Sequence, residues 1–81
     1  MTRRLTLITR HGCHLCEDMY RQLEQLREEL GFELELVDVD SDEALVRAHG
    51  TQVPVIMLAG SIICHYFLDE VALRAALKHN N

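Results

Sequence analysis

The sequence has 81 residues, of which 48% are apolar and 26% are charged, a composition that excludes a disordered chain and favours one domain over residues 1–81. Eight basic and thirteen acidic side chains give a net charge of −5, which repels phosphate backbones and anionic lipid head groups. Because the chain also has no Trp for base stacking, we do not expect nucleic acid or a membrane surface as a partner.

The first third of the chain predicts a strand, a helix and a second strand. Residues 5–9 form a short apolar run rich in β-formers, which predicts a buried strand. An apolar stripe with spacings of three and four then predicts a helix of about five turns that ends at Gly31. The stripe consists of Leu15, Met19, Leu23, Leu26 and Leu30. Residues 32–39 alternate and predict a second strand, with Leu34 and Leu36 on its apolar face.

Two acidic residues indicate where the later helices begin. Asp40 lies three residues before Glu43, a capping-box spacing that predicts a short helix ending at Gly50. Asp69 is the predicted cap of a last helix that continues through Lys78.

Two apolar runs between these helices predict a β-hairpin. Residues 53–58 and 62–64 flank the dipeptide Gly60-Ser61, which predicts a tight turn between antiparallel strands. The first helix is long enough to connect a parallel pair of strands. The order β-α-β-α-β-β-α therefore predicts an α/β fold with a four-stranded mixed sheet and flanking helices.

The three cysteines indicate the cellular compartment. An odd number at this low density is not typical of a secreted disulfide scaffold, and the first ten residues lack the basic, apolar and small-residue order of a leader. No apolar run approaches the 18 or so residues that span a bilayer. We therefore expect a cytoplasmic protein, in which closely spaced cysteines are more often catalytic or metal-binding than structural.

The segment Cys13-His14-Leu15-Cys16 places two cysteines at the start of the first helix, after a glycine. One helical turn apart, their sulfur atoms are close enough to form a disulfide. Backbone N–H groups and the helix dipole, which contributes up to about 2 kcal/mol, favour a thiolate there and predict a lowered pKa for Cys13. Arg10 is the preferred source of additional positive charge, ahead of His11 and His14.

These positions predict thiol–disulfide exchange. Cys16, one turn into the helix, should be the less exposed thiol. The Cys13 thiolate would attack a substrate disulfide, and Cys16 would displace the reduced product from the mixed disulfide. We therefore interpret Cys13 as the nucleophile and Cys16 as the resolving thiol.

Two other interpretations stay open. A metal or iron–sulfur site would use Cys13 and Cys16, with Cys64 and His65 as candidates to complete the ligand set. We favour exchange and expect no metal, because a second C-x-x-C is missing from the sequence. The third interpretation is an interaction domain that keeps the fold without redox chemistry.

Pro54 is the only proline in the chain, and it also has two interpretations. It could open a strand at a position that needs no N–H partner. Alternatively, a cis Val53-Pro54 bond could present the backbone of Val53 to an extended substrate. The sequence pattern leaves both open.

Several segments resemble glutaredoxins over nearly the whole chain. Residues 9–16 are similar to the glutaredoxin active-site segment, and Gln52-Val53-Pro54 is similar to its Thr-Val-Pro. Residues 12–17, 35–40 and 64–69 resemble a bacterial family of small glutaredoxin-like proteins even more closely. The resemblance implies a minimal thioredoxin fold, a cis Pro54 and an oxidisable Cys13–Cys16 pair.

The resemblance also implies a set of substrate contacts. Arg10 occupies the position of a basic residue that helps to bind the glutathione carboxylate, and Cys64 and His65 replace a Gly-Gly pair that holds its other end. The implied contact residues are Arg10, His14, Gln52, Val53, Pro54, Cys64 and His65. Because side chains replace an open backbone cradle, disulfide exchange is implied more strongly than glutathione as co-substrate. We expect no bound cofactor, a monomer, and protein or small-molecule thiols and disulfides as partners.

Three residues near the end of the last predicted strand have alternative interpretations. Cys64 is either a third thiol beside the pair or a buried, inert strand cysteine, and we favour the buried cysteine. Tyr66 and Phe67 either pack in the core or line a substrate groove, and we favour the core.

Overall fold

The computed structural model describes residues 3–79, and its elements follow the predicted order β-α-β-α-β-β-α. A short 3₁₀ turn between β2 and α2 is the addition. The elements are β1 (Arg3–Thr9), α1 (His14–Leu30), β2 (Phe32–Asp38), the 3₁₀ turn (Val39–Ser41), α2 (Glu43–His49), β3 (Val55–Leu58), β4 (Ser61–His65) and α3 (Glu70–His79).

The strands form one four-stranded mixed sheet in the order β2-β1-β3-β4. Strand β1 is parallel to β2 and antiparallel to β3, and β3 is antiparallel to β4. Helix α1 makes the crossover that the parallel pair requires. The predicted mixed sheet is therefore confirmed, with β2 and β4 at its edges.

Helix α1 begins after Cys13 and ends at Gly31, as the sequence predicts. Met19 and Leu23 of the apolar stripe are fully buried, and Leu26 and Leu30 pack against the same core. The spacing of three and four thus identified the buried side of the helix. Among residues 3–79, no helix combines the length and apolar character needed to cross a membrane.

The sheet has a hydrophobic core on each face. The larger core lies beneath α1 and α3 and contains Leu5 and Leu7 of β1. The smaller core contains Ile8 of the same strand, and Leu45 of α2 packs against it. Strand β1 therefore contributes buried side chains to both faces of the sheet, although Arg4 and Thr6, on the face of Ile8, are not buried.

The cap of α2 is one correction to the sequence prediction. The carboxylate of Asp42, and not that of Asp40, accepts the N–H of Ala44 at 2.8 Å. Asp40 instead belongs to the 3₁₀ turn, where its carboxylate binds Arg10. The end of α2 at Gly50 is confirmed.

The hairpin turn is displaced by one residue from its predicted position. Leu58 pairs with Ser61, so the turn consists of Ala59 and Gly60 rather than Gly60 and Ser61. Both turn residues have positive φ, 53° and 83°, as a two-residue type I′ turn requires. Glycine adopts this conformation without the steric cost that a Cβ atom adds.

Cys64 lies in the larger core, so the structure supports the buried-cysteine interpretation. Burial raises the pKa of the Cys64 thiol above its ordinary value, because the core disfavours the charged thiolate. The backbone N–H of Asp69 lowers this pKa by a smaller amount, and the Asp69 carboxylate raises it. The net shift keeps the thiol protonated to higher pH.

We predict that ionisation of Cys64 destabilises the fold in alkali. Since the folded-state pKa is raised, the protonated thiol contributes stability below the pKa of the unfolded chain, and this contribution is lost as the pH rises through the folded-state pKa. The measurement is urea unfolding of the Cys13–Cys16 oxidised protein and of Cys64→Ala between about pH 7 and about pH 10.5. The free energy of unfolding should fall more steeply with pH in the wild type, and parallel curves would contradict the prediction.

Candidate functional site

The predicted site residues meet at one end of the sheet. Ile8 of β1 pairs with Val55 of β3, so the loop that follows β1 and the segment that precedes β3 emerge side by side. The first carries Cys13, and the second carries Val53 and Pro54. The Val53-Pro54 peptide bond is cis, as the glutaredoxin resemblance implies.

The turn before the first cysteine depends on Gly12. Its φ of 75° lies in the left-handed region, which glycine adopts without strain. The chain then becomes extended at Cys13, whose Sγ atom accepts the backbone N–H of Cys16 at 3.2 Å. Cys13 is thus the N-cap of α1, and its sulfur lies at the positive end of the helix dipole.

Cys13 and Cys16 form a disulfide, with their Cα atoms 5.2 Å apart. Their exposure differs: Cys13 is half-buried, whereas only 3% of Cys16 is exposed. The prediction that Cys16 is the less exposed cysteine is therefore confirmed. Of the two cysteines, Cys13 is therefore the more accessible to an incoming reactant.

Arg10 is held by two parts of the chain that follow β2. Its guanidinium donates to both carboxylate oxygens of Asp40, at 3.1 and 3.2 Å, and to the backbone carbonyl of Gly50 at 3.0 Å. Asp40 thus compensates the charge of Arg10, a pairing that the spacing of the two residues in the sequence does not indicate. The guanidinium also fixes the start of the segment that leads to Pro54.

The other predicted contact residues differ in their exposure. The His14 side chain is almost fully exposed, with its Nδ1 atom 3.9 Å from a Glu17 carboxylate oxygen. The backbone N–H of Gln52 donates to the carbonyl of His49 at 2.9 Å. Val53 is half-buried against the smaller core, and Pro54 is fully buried.

The end of β4 also reaches this edge of the sheet. His65 pairs with Val55, and its ring makes an edge-to-face contact with Tyr66, with the centroids 4.7 Å apart. The backbone N–H of Tyr66 donates to the Pro54 carbonyl at 2.9 Å, and its hydroxyl donates to the Thr51 carbonyl. Tyr66 therefore holds both ends of the 51–54 segment.

The predicted core packing of Tyr66 and Phe67 is wrong. Tyr66 has a φ of 65°, and the backbone N–H of Phe67 donates to the His65 carbonyl at 2.7 Å. This tight reversal ends β4 and leaves both side chains exposed, Phe67 by 69%. The apolar character of the run 66–67 gave no sign of the left-handed backbone.

A groove of about 350 Å³ opens beside the disulfide on the β2 side. It is lined by residues 9–13, by the first two turns of α1 and by Leu36. Tyr20 and Leu36 are its large apolar side chains, 39% and 54% exposed. The alternation of β2 predicts Leu36 on the apolar face, but the structure leaves the side chain half open to solvent. Cys64 is not among the residues that line this groove.

The three-cysteine metal site is not assembled in the described part of the chain. Within residues 3–79, no three His, Cys, Asp or Glu side chains come together as a metal site needs. Cys64 instead lies in the larger core.

Comparison with known proteins identifies the family. A family model described as "Glutaredoxin-like domain (DUF836)" matches residues 4–78. The uncharacterized protein Rv0508 of Mycobacterium tuberculosis is 35% identical over 79 residues, an alignment that covers 91% of this chain and 81% of that protein.

Solved structures give the same result for the fold. Protein Ne2328 from Nitrosomonas europaea is 38% identical, with a TM-score of 0.87 over 94% of this chain and 92% of that one. Fasciola hepatica thioredoxin shares 21% identity, with a TM-score of 0.64 over 99% of this chain and 82% of the thioredoxin. The expected thioredoxin fold is thus confirmed, and the chain belongs to the glutaredoxin-like domain family (DUF836).

Proposed function

We propose that this protein is a thiol–disulfide oxidoreductase in which Cys13 attacks and Cys16 resolves. The observation that supports this most directly is the position of the Cys13 sulfur at the N-cap of α1, where it accepts the Cys16 N–H at 3.2 Å. After reduction, the same N–H and the helix dipole would stabilise a Cys13 thiolate. The buried Cys16 would then approach the mixed disulfide from the protein side.

The proposed reaction transfers two electrons. The Cys13 thiolate attacks one sulfur of a substrate disulfide, forms a mixed disulfide and releases the first substrate thiolate. The Cys16 thiolate then attacks Cys13 and releases the second substrate thiolate, while the Cys13–Cys16 disulfide forms. An external thiol of the glutathione or protein-dithiol class restores the dithiol by the reverse exchange.

The substrate would be held at the end of the sheet that carries the cis proline. The backbone of Val53 beside Pro54 is the proposed contact for an extended substrate, and Gln52, His14 and His65 are its proposed polar neighbours. Because Cys64 is buried in the core, we propose no substrate contact for it. For Arg10, the pair with Asp40 favours a positioning role over direct binding of a substrate carboxylate.

We further propose a monomer without a bound cofactor, acting on protein or small-molecule disulfides in the cytoplasm. The low cysteine content supports a reducing compartment. Glutathione stays a candidate reductant, to be compared directly with a protein dithiol.

Serine substitutions test the two cysteine roles. In a Cys64→Ala background, Cys13→Ser should lower the reduction of bis(2-hydroxyethyl) disulfide by at least about a hundredfold, because no accessible nucleophile remains. Cys16→Ser should keep the first step and accumulate a covalent Cys13 adduct that intact-mass spectrometry detects. Adducts on Cys16 in place of Cys13 would reverse the assignment, and full turnover by Cys16→Ser would remove the resolving role.

Alkylation of the reduced protein tests the electrostatic argument. The rate of iodoacetamide modification, followed by peptide mass spectrometry against pH, should rise for Cys13 at lower pH than for the same cysteine in the urea-unfolded chain. Cys16 and Cys64 should react more slowly, because both are buried. Equal pH midpoints for Cys13 in the folded and unfolded chains would contradict a stabilised thiolate.

Substitutions of the Arg10–Asp40 pair separate positioning from substrate binding. If Arg10 acts by holding the 50–54 segment, Arg10→Gln and Asp40→Asn should each lower kcat/KM by roughly three- to tenfold, and the double variant should lose no more. Arg10→Lys, which cannot make the bidentate contact, should recover only part of the activity. If Arg10 instead binds the substrate, Asp40→Asn will free its guanidinium and leave KM unchanged or lower.

A further inference from the structure

We propose that the groove on the β2 side of the Cys13–Cys16 pair binds the polypeptide that flanks a cysteine of a protein disulfide. An apolar side chain of that polypeptide would pack against Tyr20 and Leu36. This inference rests on the proposed exchange function and specifies its substrate class, a protein disulfide with an apolar residue close to the reacting cysteine.

The groove combines reacting atoms with an apolar surface. Both cysteines line it, together with Tyr20 of α1 and Leu36 of β2. Leu36 pairs in register with Leu7, which is fully buried, so the two side chains lie on the same face of the sheet. Leu36 therefore lies on the same face of the sheet as the larger core, but 54% of it is exposed, which leaves apolar surface that a partner could cover.

Charged side chains surround this apolar surface. Glu17 and Arg21 belong to the groove lining, and Arg21 forms an ion pair with Asp18 on the solvent side of α1. An apolar centre with a polar rim is the arrangement of protein recognition sites.

The position of the groove on an edge strand indicates an extended polypeptide. Strand β2 is at one end of the described sheet and pairs with β1 on one side. The other edge of such a strand offers backbone N–H and carbonyl groups to an added strand. A small thiol has no row of peptide groups that could pair with this edge, whereas the polypeptide on either side of a protein cysteine does.

The spacing between Leu36 and the cysteine loop also fits an extended polypeptide. Leu36 lies two residues before Asp38, which pairs with Thr9 at the end of β1, and the cysteine loop begins there. Since an extended chain rises about 3.3 Å per residue, a substrate side chain two or three positions from its cysteine would reach Leu36 while its sulfur meets Cys13. The cis-proline segment lies on the β3 side of β1, so the groove would contact a different flank of the substrate.

The test compares two matched surface variants. Leu36 and Ile62 are 54% and 48% exposed, and they lie on the two opposite edge strands. Three substrates are used: bis(2-hydroxyethyl) disulfide, a cysteine peptide linked to 2-mercaptoethanol with Leu two residues from the cysteine, and the same peptide with Ser in place of that Leu. Sedimentation equilibrium is measured for each protein.

Leu36→Ser should lower kcat/KM for the Leu peptide by about five- to tenfold, the loss expected for one partly buried apolar contact. It should leave the small disulfide and the Ser peptide unchanged, and Ile62→Ser should leave all three unchanged. Tyr20→Ser, on α1 rather than on β2, should cause the same selective loss. This variant shows whether the loss comes from the groove or from a local disturbance of β2.

The other outcomes overturn the inference in distinguishable ways. If the wild type does not reduce the small disulfide, the exchange function fails and the groove assignment fails with it. If the wild type reduces all three substrates and Leu36→Ser keeps its preference for the Leu peptide, the groove assignment alone is wrong. If the wild type is a dimer that Leu36→Ser dissociates, a second copy of the chain covers the groove instead.

Discussion

The pairing of β1 on both of its edges is the constraint on which the site depends. This strand is hydrogen-bonded to β2 and β3, and it contributes Leu7 to the core on one face of the sheet and Ile8 to the core on the other. Its carboxyl end therefore cannot shift without disrupting two ladders and two cores. The cysteine loop leaves from that end, and the cis-proline segment enters β3 beside it. The strands that carry these two irregular segments thus fix the position of one segment relative to the other.

Polar contacts complete what the strands begin. The segment between α2 and β3 has no regular hydrogen-bond ladder of its own, yet its backbone carbonyls are bound from two directions. Arg10 holds Gly50 from the β1 side, and Tyr66 holds Thr51 and Pro54 from the β4 side. Hydrogen bonds of this kind contribute about 0.5 to 1.5 kcal/mol each. Their donors, Arg10 and Tyr66, come from two distant parts of the chain, so these contacts form only in the complete fold.

The regular elements could be predicted because a period of two or of 3.6 residues reports directly on burial. The C-x-x-C pair could be assigned because its spacing and its helix-start position are local. The features that were predicted wrongly or missed depend on three-dimensional contacts that residue spacing does not reveal. Arg10 contacts Asp40 thirty positions away. Alternation identifies the face of β2 on which Leu36 lies, but it does not show how much of that face α1 covers. Tyr66 adopts a backbone conformation that its residue type does not favour.

The burial of Cys64 has a consequence for which disulfide the protein can form. A molecule with three reactive thiols could oxidise into any of three pairings and leave a different thiol unpaired each time. In this protein the third thiol lies in the core, and its raised pKa keeps it protonated and unreactive. The fold thereby favours one intramolecular pairing, Cys13–Cys16, whose disulfide and dithiol forms differ by two electrons.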